Sequence, residues 1–241
     1  MAPDAPDAPD ASDVTGLVVG ILGGTGPQGK GLGIRMAAGG QQVVIGSRMP
    51  DRATAAAAEV VAAAAELGRG MATTDGIVTG ADNAEAARRA DLVIVAVPWD
   101  GHADTVGSLR DELRGKIVVD CVNPLGFDRQ GAYPLDVAEG SAAEQAQALL
   151  PDSRIVGAFH HLSAVRLADP SIGRVDSDVL VLGDDRAATD LVQALADRIP
   201  GLRGIYAGRL RNCRQVEALT ANLIAVNRRY KTHSGIRVTD V

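Results

Sequence analysis

The chain has 241 residues, 46% of them apolar and 22% charged, enough for one good core or a large and a small domain. A net charge of −6 argues against general nucleic-acid binding, and no apolar run is long enough to span a bilayer. Aromatics make up only 2%, so Ala, Val, Leu and Ile must build the core.

Residues 1–15 open on an Ala-Pro-Asp repeat. Proline at every third position forbids regular helix and the acids keep the segment solvated, so it reads as a disordered tail. It has neither a basic n-region nor an apolar h-region, so it is not a secretory signal. The folded chain then starts on strand Leu17–Gly23, which feeds straight into Gly24-Thr25-Gly26-Pro27-Gln28-Gly29. This G-x-G-x-x-G sits between a strand and a helix, the context that makes it a dinucleotide fingerprint. Gly24 permits the tight turn, Gly26 lets a pyrophosphate approach the backbone, and Gly29 lets the helix pack close to the strand. The helix N-terminus offers free N–H groups to the phosphates.

That helix runs from about Gly29 to Ala38, stopped by Gly39-Gly40. Strand Gln42–Gly46 follows and ends in Ser47-Arg48. Eighteen residues past Gly29, an acid would read the ribose hydroxyls of NAD; the chain has Ser47 there. A hydroxyl and a guanidinium suit a 2′-phosphate, and Arg52 joins them if the next helix starts near Pro50. The cofactor read from these residues is NADP.

An Ala-rich helix spans Pro50–Leu67, with Pro in its first turn. A short strand at Gly76–Thr79 and a short helix at Ala81–Ala90 lead to strand Asp91–Val97. Its unbroken apolarity means burial on both faces, as in a parallel sheet covered by helices. Pro98 ends it. A helix near Asp104–Leu113 precedes strand Lys116–Cys121. Alternating strands and helices indicate a doubly wound α/β domain over residues 16–150, with its ligand crevice at the carboxyl ends of the strands. Gly24–Gly29, Gly46–Arg48 and Val97-Pro98-Trp99 are therefore expected to reach the cofactor, and Asn123 after the fifth strand is a fourth candidate.

Residues 151–241 read as a smaller α+β portion packed along that cleft. Its elements are strand Arg154–Phe159, strand Asp178–Leu182, a helix capped by Gly183-Asp184-Asp185, an extended Gly204–Ala207 and a helix Asn212–Tyr230. In the last, Val216, Leu219, Leu223 and Val226 recur at helical spacing, so one face is core.

Cys121 and Cys213 form no disulfide framework and read as reduced cytosolic thiols; no Cys/His spacing resembles a metal site. The chain has no Tyr-x-x-x-Lys pair and only four His. Such a shortage of acid/base groups fits a reaction between two cofactors. His160 and His161 end a strand at the cleft, where each is either a ligand donor or a structural residue. His102 contacts the nicotinamide ribose or is structural, and Trp99 shields the nicotinamide or plugs the sheet edge. Arg209, Arg211 and Arg214 either dock an acidic tail or simply start a solvated helix.

The segments Leu22–Gly31, Gly46-Ser47-Arg48, Val97-Pro98-Trp99, Ala158-Phe159-His160, Gly183-Asp184-Asp185 and Asn212-x-Arg214-x-Val216-Glu217-x-Leu219-Thr220 together resemble the F420-dependent NADP reductases. The resemblance runs from Val18 to about Tyr230. It implies a Rossmann-type fold and hydride exchange between NADP(H) and the 5-deazaflavin coenzyme F420. By position, Gly24, Thr25, Gly26, Pro27, Gln28 and Gly29 would line the pyrophosphate, and Ser47, Arg48 and Arg52 the 2′-phosphate. Val97, Trp99 and Asn123 would lie along ribose and nicotinamide, and His160 and Ala164 near the two rings. One departure is local: the family's His-Thr-Ile-Pro-Ala is His160-His161-Leu162-Ser163-Ala164 here. The resemblance further implies a cytoplasmic homodimer whose partners are two small-molecule cofactors, with no nucleic acid and no membrane. The competing readings are an NADPH-dependent imine or hydroxy-acid reductase, and a non-catalytic NADP(H) sensor.

Overall fold

Strand β1 (Val18–Leu22) lies in the middle of an eight-stranded sheet. It pairs in parallel with β2 (Gln42–Ser47) and with β4 (Leu92–Val95). Outside these, β3 (Val78–Asp82) extends β2 and β5 (Ile117–Asp120) extends β4, again in parallel. The structure is a computed structural model that describes residues 13–68 and 77–241.

Burial on both faces explains the apolar strands. Val19, Ile21, Val43, Ile45, Leu92 and Ile94 point into one core layer. Leu22, Val44, Val93 and Val95 point into the other. The first layer is closed by α1 (Pro27–Ala38) and α2 (Pro50–Leu67), through Leu32, Met36, Val60 and Ala64. The second is closed by α3 (Asn83–Arg89), α4 (His102–Gly107) and α5 (Arg110–Leu113), together with α6 (Ala142–Leu149). Asp82 and Ser141 cap α3 and α6, accepting from the amides of Glu85 and Glu144.

The same sheet continues past residue 150. Strand β8 (Arg154–Gly157) pairs in parallel with β5. Then β9 (Ser177–Gly183) runs antiparallel to β8, and β10 (Leu202–Gly208) parallel to β9. The order is β10-β9-β8-β5-β4-β1-β2-β3. The expected division between 150 and 151 thus falls between α6 and β8, inside one sheet. Helix α8 (Arg186–Asp197) covers β9 and β10, its N-terminus capped by Asp185. Helix α9 (Cys213–Tyr230) packs Cys213 and Val216 into the second layer. Its expected apolar stripe is only partly covered: Leu219 and Leu223 are half-buried and Val226 is exposed.

Several local expectations change. The expected helix over Asp104–Leu113 is two short helices, and the one at Ala81–Ala90 starts later because β3 runs on to Asp82. A hairpin of β6 (Leu125–Phe127) and β7 (Ala132–Pro134) stands apart from the main sheet. Strand Arg154–Phe159 stops at Gly157, and a five-residue helix α7 (Ala164–Ala168) follows. Of the expected tail, residues 1–12 lie outside the described residues, as does Gly76 of the third strand. Asp13–Thr15 are described: Asp13 accepts from the Thr15 amide, and Val14 is buried.

Two charged side chains hold the C-terminal part in place. Arg35, buried in α1, donates to the carbonyls of Leu167 at 2.8 Å, Ile172 at 2.6 Å, Arg166 at 2.6 Å and Asp169 at 2.9 Å. It satisfies the orphan carbonyls at the end of α7. Asp178, at the start of β9, accepts from Arg203, from Arg237 and from the Val238 amide. These cations, Arg203 first, hold its carboxyl well below the usual carboxylate range. The last residues are thereby docked on the sheet.

Candidate cofactor site

The carboxyl ends of β1, β2, β4 and β5 converge on the fingerprint loop. Gly23, not Gly24, takes the left-handed backbone, at φ +69°. Gly24 is needed for another reason: a Cβ there would stand 2.8 Å from the Ile21 carbonyl oxygen. Its amide donates to the Gly46 carbonyl at 2.9 Å, tying the loop to β2. A Cβ on Gly29 would lie 2.7 Å from the Gly24 Cα, so strand and helix touch backbone to backbone. Gly26 differs. Its φ is −78°, and a Cβ would meet only the Gly23 carbonyl, at 3.4 Å. Beyond its chain neighbours, no other atom among the described residues comes within 4 Å of that position, the open approach that a pyrophosphate cradle requires.

Helix α1 starts at Pro27, so Pro27, Gln28 and Gly29 form its first turn. Proline at this position loses no helical hydrogen bond. The amides of Gln28 and Gly29 have no acceptor within the helix and face the positive end of its dipole. Thr25 beside them is half-buried. Gly26→Val is therefore expected to keep the far-UV circular dichroism of the folded chain while NADPH binding is lost. A valine variant that still binds NADPH tightly would show that the loop cradles no phosphate.

At the end of β2, Ser47 is buried and its hydroxyl accepts from the Met49 amide at 3.2 Å. Arg48 and Arg52, the latter in the first turn of α2, are both exposed and pair with no acid among the described residues. Asn83, which the sequence reading did not single out, stands beside them. Its buried Oδ1 has no partner and lies 2.9 Å from where a Gly46 Cβ would be.

Val97, after β4, packs against Gly23: a Cβ there would be 2.8 Å from Val97 Cγ1. Trp99 is half-buried. Its ring stacks on His102, centroids 5.5 Å apart and planes at 29°. His102 itself is wholly buried, as the structural one of its two readings expects. Its Nε2 lies 2.6 Å from Asp120 Oδ2 and its Nδ1 2.9 Å from Gln145 Oε1. Burial alone would lower its pKa, but the Asp120 carboxylate holds it above the usual histidine value. Nearby, Glu217 of α9 accepts from the amides of Ala142 and Ala143. Burial pushes its carboxyl up to about 7 against those two donors.

Opposite the fingerprint lies the strap Phe159–His160. Phe159 holds a left-handed φ of +64°, a strained backbone for a bulky residue. Three side chains, from α1, from the loop after β5 and from α9, fix it. Gln28 Nε2 donates to the Phe159 carbonyl at 3.2 Å. Asn123 Nδ2 and Thr220 Oγ1 donate to the His160 carbonyl at 2.8 and 3.4 Å. The His160 ring is buried and, among the described residues, neither nitrogen has a hydrogen-bond partner. The Asn123 Oδ1 is likewise unpartnered. His161 points elsewhere, donating from Nε2 to the Asp178 carbonyl at 2.6 Å. Ala164 begins α7, with Ser163 as its cap, and its carbonyl lies 3.4 Å from where a Gly31 Cβ would stand. Gln28, Asn123, His160 and the fingerprint are thus brought together. Arg209 and Arg214 pair with Asp184 and Asp136.

Burial pushes His160 down to about 4, so the ring is neutral at pH 7. Its depressed value stabilises the fold fully above the unfolded-state value of 6.5, and that stability is lost as pH falls toward about 4. Between those limits the native chain is expected to lose roughly 3 kcal/mol more than a His160→Gln chain. Urea titrations at several pH values check this; parallel pH profiles for the two proteins would contradict it.

Among the described residues no group of His, Cys, Asp and Glu gathers to hold a metal ion, and no helix is long and apolar enough to cross a membrane. Residues 18–124 match the family described as NADP oxidoreductase, coenzyme F420-dependent. The chain is 39% identical over 229 residues to an F420-dependent NADP reductase of Methanothermobacter marburgensis, covering 92% of this chain and 98% of that protein. It is 37% identical over 226 residues to the enzyme of the same name from Methanocaldococcus jannaschii, covering 92% and 98%. A crystal structure of an Arthrobacter sp. FB24 protein, provisionally described as an F420-dependent NADP reductase, superposes with a TM-score of 0.71. That pair is 26% identical over 93% of this chain and 100% of the other.

Proposed function

The chain belongs to the F420-dependent NADP reductase family, and on that premise we propose that it transfers a hydride directly between NADP(H) and the deazaflavin coenzyme F420. The observation that carries the reading is the joint between the fingerprint helix and the Phe159–His160 strap, made by Gln28. It sets a dinucleotide loop against a second wall that a single-cofactor binding domain does not need.

Each residue then has a task. The Gly24–Gly29 loop, with Thr25, Pro27 and Gln28, receives the pyrophosphate on backbone amides. Gly26 keeps its approach open. Ser47, Arg48 and Arg52 hold the 2′-phosphate, for which two exposed guanidinium groups that pair with no acid among the described residues are well suited. Val97, Trp99 and Asn123 border the ribose and nicotinamide. His160 and Ala164 border the deazaflavin. When both cofactors are bound, they supply the hydride donor and the hydride acceptor. The protein's share is orientation and exclusion of water, since no proton need pass through a side chain. The neutral, unpartnered His160 ring is available as a hydrogen-bond donor to developing negative charge.

The same reading makes the enzyme a cytoplasmic homodimer. Two buried free thiols, Cys121 and Cys213, suit a reducing compartment. Phe127 and Tyr133 of the hairpin and Tyr230 of α9 are exposed apolar side chains of the kind a subunit interface covers.

NADPH deuterated on the transferring face tests the mechanism. The label is expected to reach the deazaflavin without washing out into water, and EDTA is expected to have no effect. Label lost to solvent, or parallel-line ping-pong kinetics, would exclude direct transfer. A chain that never turns over the deazaflavin would overturn the reading as a whole.

A further inference from the structure

His102 is a buried polar group, paired at both ring nitrogens, that the proposed reaction leaves unused. Its ring is fully buried at the junction of α4, β5 and α6. Both ring nitrogens meet acceptors. Asp120 Oδ2, at 2.6 Å, belongs to a carboxylate whose other oxygen accepts from the Val122 amide. The Gln145 amide is oriented by Glu139, to which its Nε2 donates at 3.2 Å, so Oε1 is the atom that faces His102 Nδ1 at 2.9 Å. A neutral imidazole has one N–H and would leave one of these acceptors facing a lone pair. Only the imidazolium satisfies both. The other titratable group near it is Glu217, which accepts from the amides of α6 on the α9 side; burial holds its carboxyl up to about 7, so it is only partly ionised at neutral pH. On its remaining face the ring carries the indole of Trp99, stacked at 5.5 Å, a cation against an aromatic face.

We propose that His102 is a positioning residue: a buried imidazolium, held doubly protonated by Asp120 and Gln145, that seats the Trp99 indole at the nicotinamide end of the cleft. The proposal rests on the reading that Trp99 borders the nicotinamide. The His102–Trp99 pair itself does not depend on that reading, and the two are tested separately.

Trp99 is the only tryptophan in the chain, so its emission reports this contact alone. In the cofactor-free protein labelled with 15N-histidine, His102 is expected to show two exchange-protected ring N–H signals at neutral pH, where an ordinary histidine has lost its second proton. Trp99 emission is expected to be quenched there by the charged ring. In Asp120→Asn the acceptor carboxylate is gone, and emission is expected to rise with pH as the ring loses its second proton. A single His102 ring N–H in the native chain overturns the proposal, and this measurement stands even if a variant fails to fold. For the seat itself, NADPH is expected to quench Trp99, and a folded His102→Gln chain is expected to lose about tenfold in kcat with little change in KM for F420. A folded His102→Gln chain with native kcat, or NADPH binding that leaves Trp99 emission untouched, overturns the positioning role. If the native chain shows no deazaflavin turnover, the proposed reaction fails, while the ring signals and the NADPH quench still decide what His102 does.

Discussion

Replacing Arg48 by Glu is expected to weaken NADP binding by roughly 2–4 kcal/mol while NAD binding changes little. The argument starts from what is missing. The strand β2 ends in Ser47-Arg48, with no acid to hold a ribose diol. Arg48 is exposed and pairs with no acid among the described residues, so its guanidinium is free for an incoming anion. Glutamate removes a charge-assisted bond and adds repulsion against a dianionic phosphate. The discrimination between the two cofactors, measured as the ratio of their dissociation constants, should therefore shift by two orders of magnitude or so. Double replacement with Arg52→Ala should widen the loss only modestly, because the two side chains would share one phosphate and their effects would not add. An Arg48→Glu protein that still prefers NADP as strongly as the parent would remove the phosphate assignment.

Arg35→Met is expected to destabilise the fold by about 3–5 kcal/mol. Methionine fills similar space but donates nothing. Four carbonyls, of Arg166, Leu167, Asp169 and Ile172, lose their charged donor at once. Helix α7 is only five residues long and cannot hold itself together. Its position is borrowed from α1, so the loss should appear twice: as a lower urea midpoint, and as a raised KM for F420 where Ala164 begins that helix. Destabilisation under about 1 kcal/mol would mean that water takes over those carbonyls without difficulty.

The first half of the chain was legible because its signals are local. Strands β1 and β4 are unbroken apolar runs, Pro50–Leu67 carries its own start and stop residues, and the fingerprint sits where a strand becomes a helix. What was not legible is held by distant partners. The strap at Phe159–His160 owes its shape to Gln28, Asn123 and Thr220, none of them near in sequence. Helix α7 depends on Arg35, which reads locally as a basic residue in the last turn of α1. His102 follows Trp99 closely enough to suggest the cofactor, but Asp120 and Gln145 claim it for the interior. The hairpin β6–β7 has no period-two pattern, since Phe127 and Tyr133 are both exposed. Gly23 and Gly24 exchange roles because adjacent glycines look alike until the backbone angles are known.

The pairing of β5 with β8 has a consequence for synthesis. Ile117–Asp120 is buried on both faces, and its outer neighbour is Arg154–Gly157. A ribosome that has released residues up to α6 but not β8 displays a largely apolar sheet with β5 as an open edge. Such an edge is a template for pairing with another chain. Natural edges are usually guarded by charge or proline, and β5 has charge only at its ends, Lys116 before it and Asp120 at its last position, with Ile117-Val118-Val119 between them unguarded. Until Arg154–Gly157 emerges and zips on, the nascent protein is at its most prone to aggregate, and a messenger cut short in that interval would yield insoluble product rather than a smaller working protein.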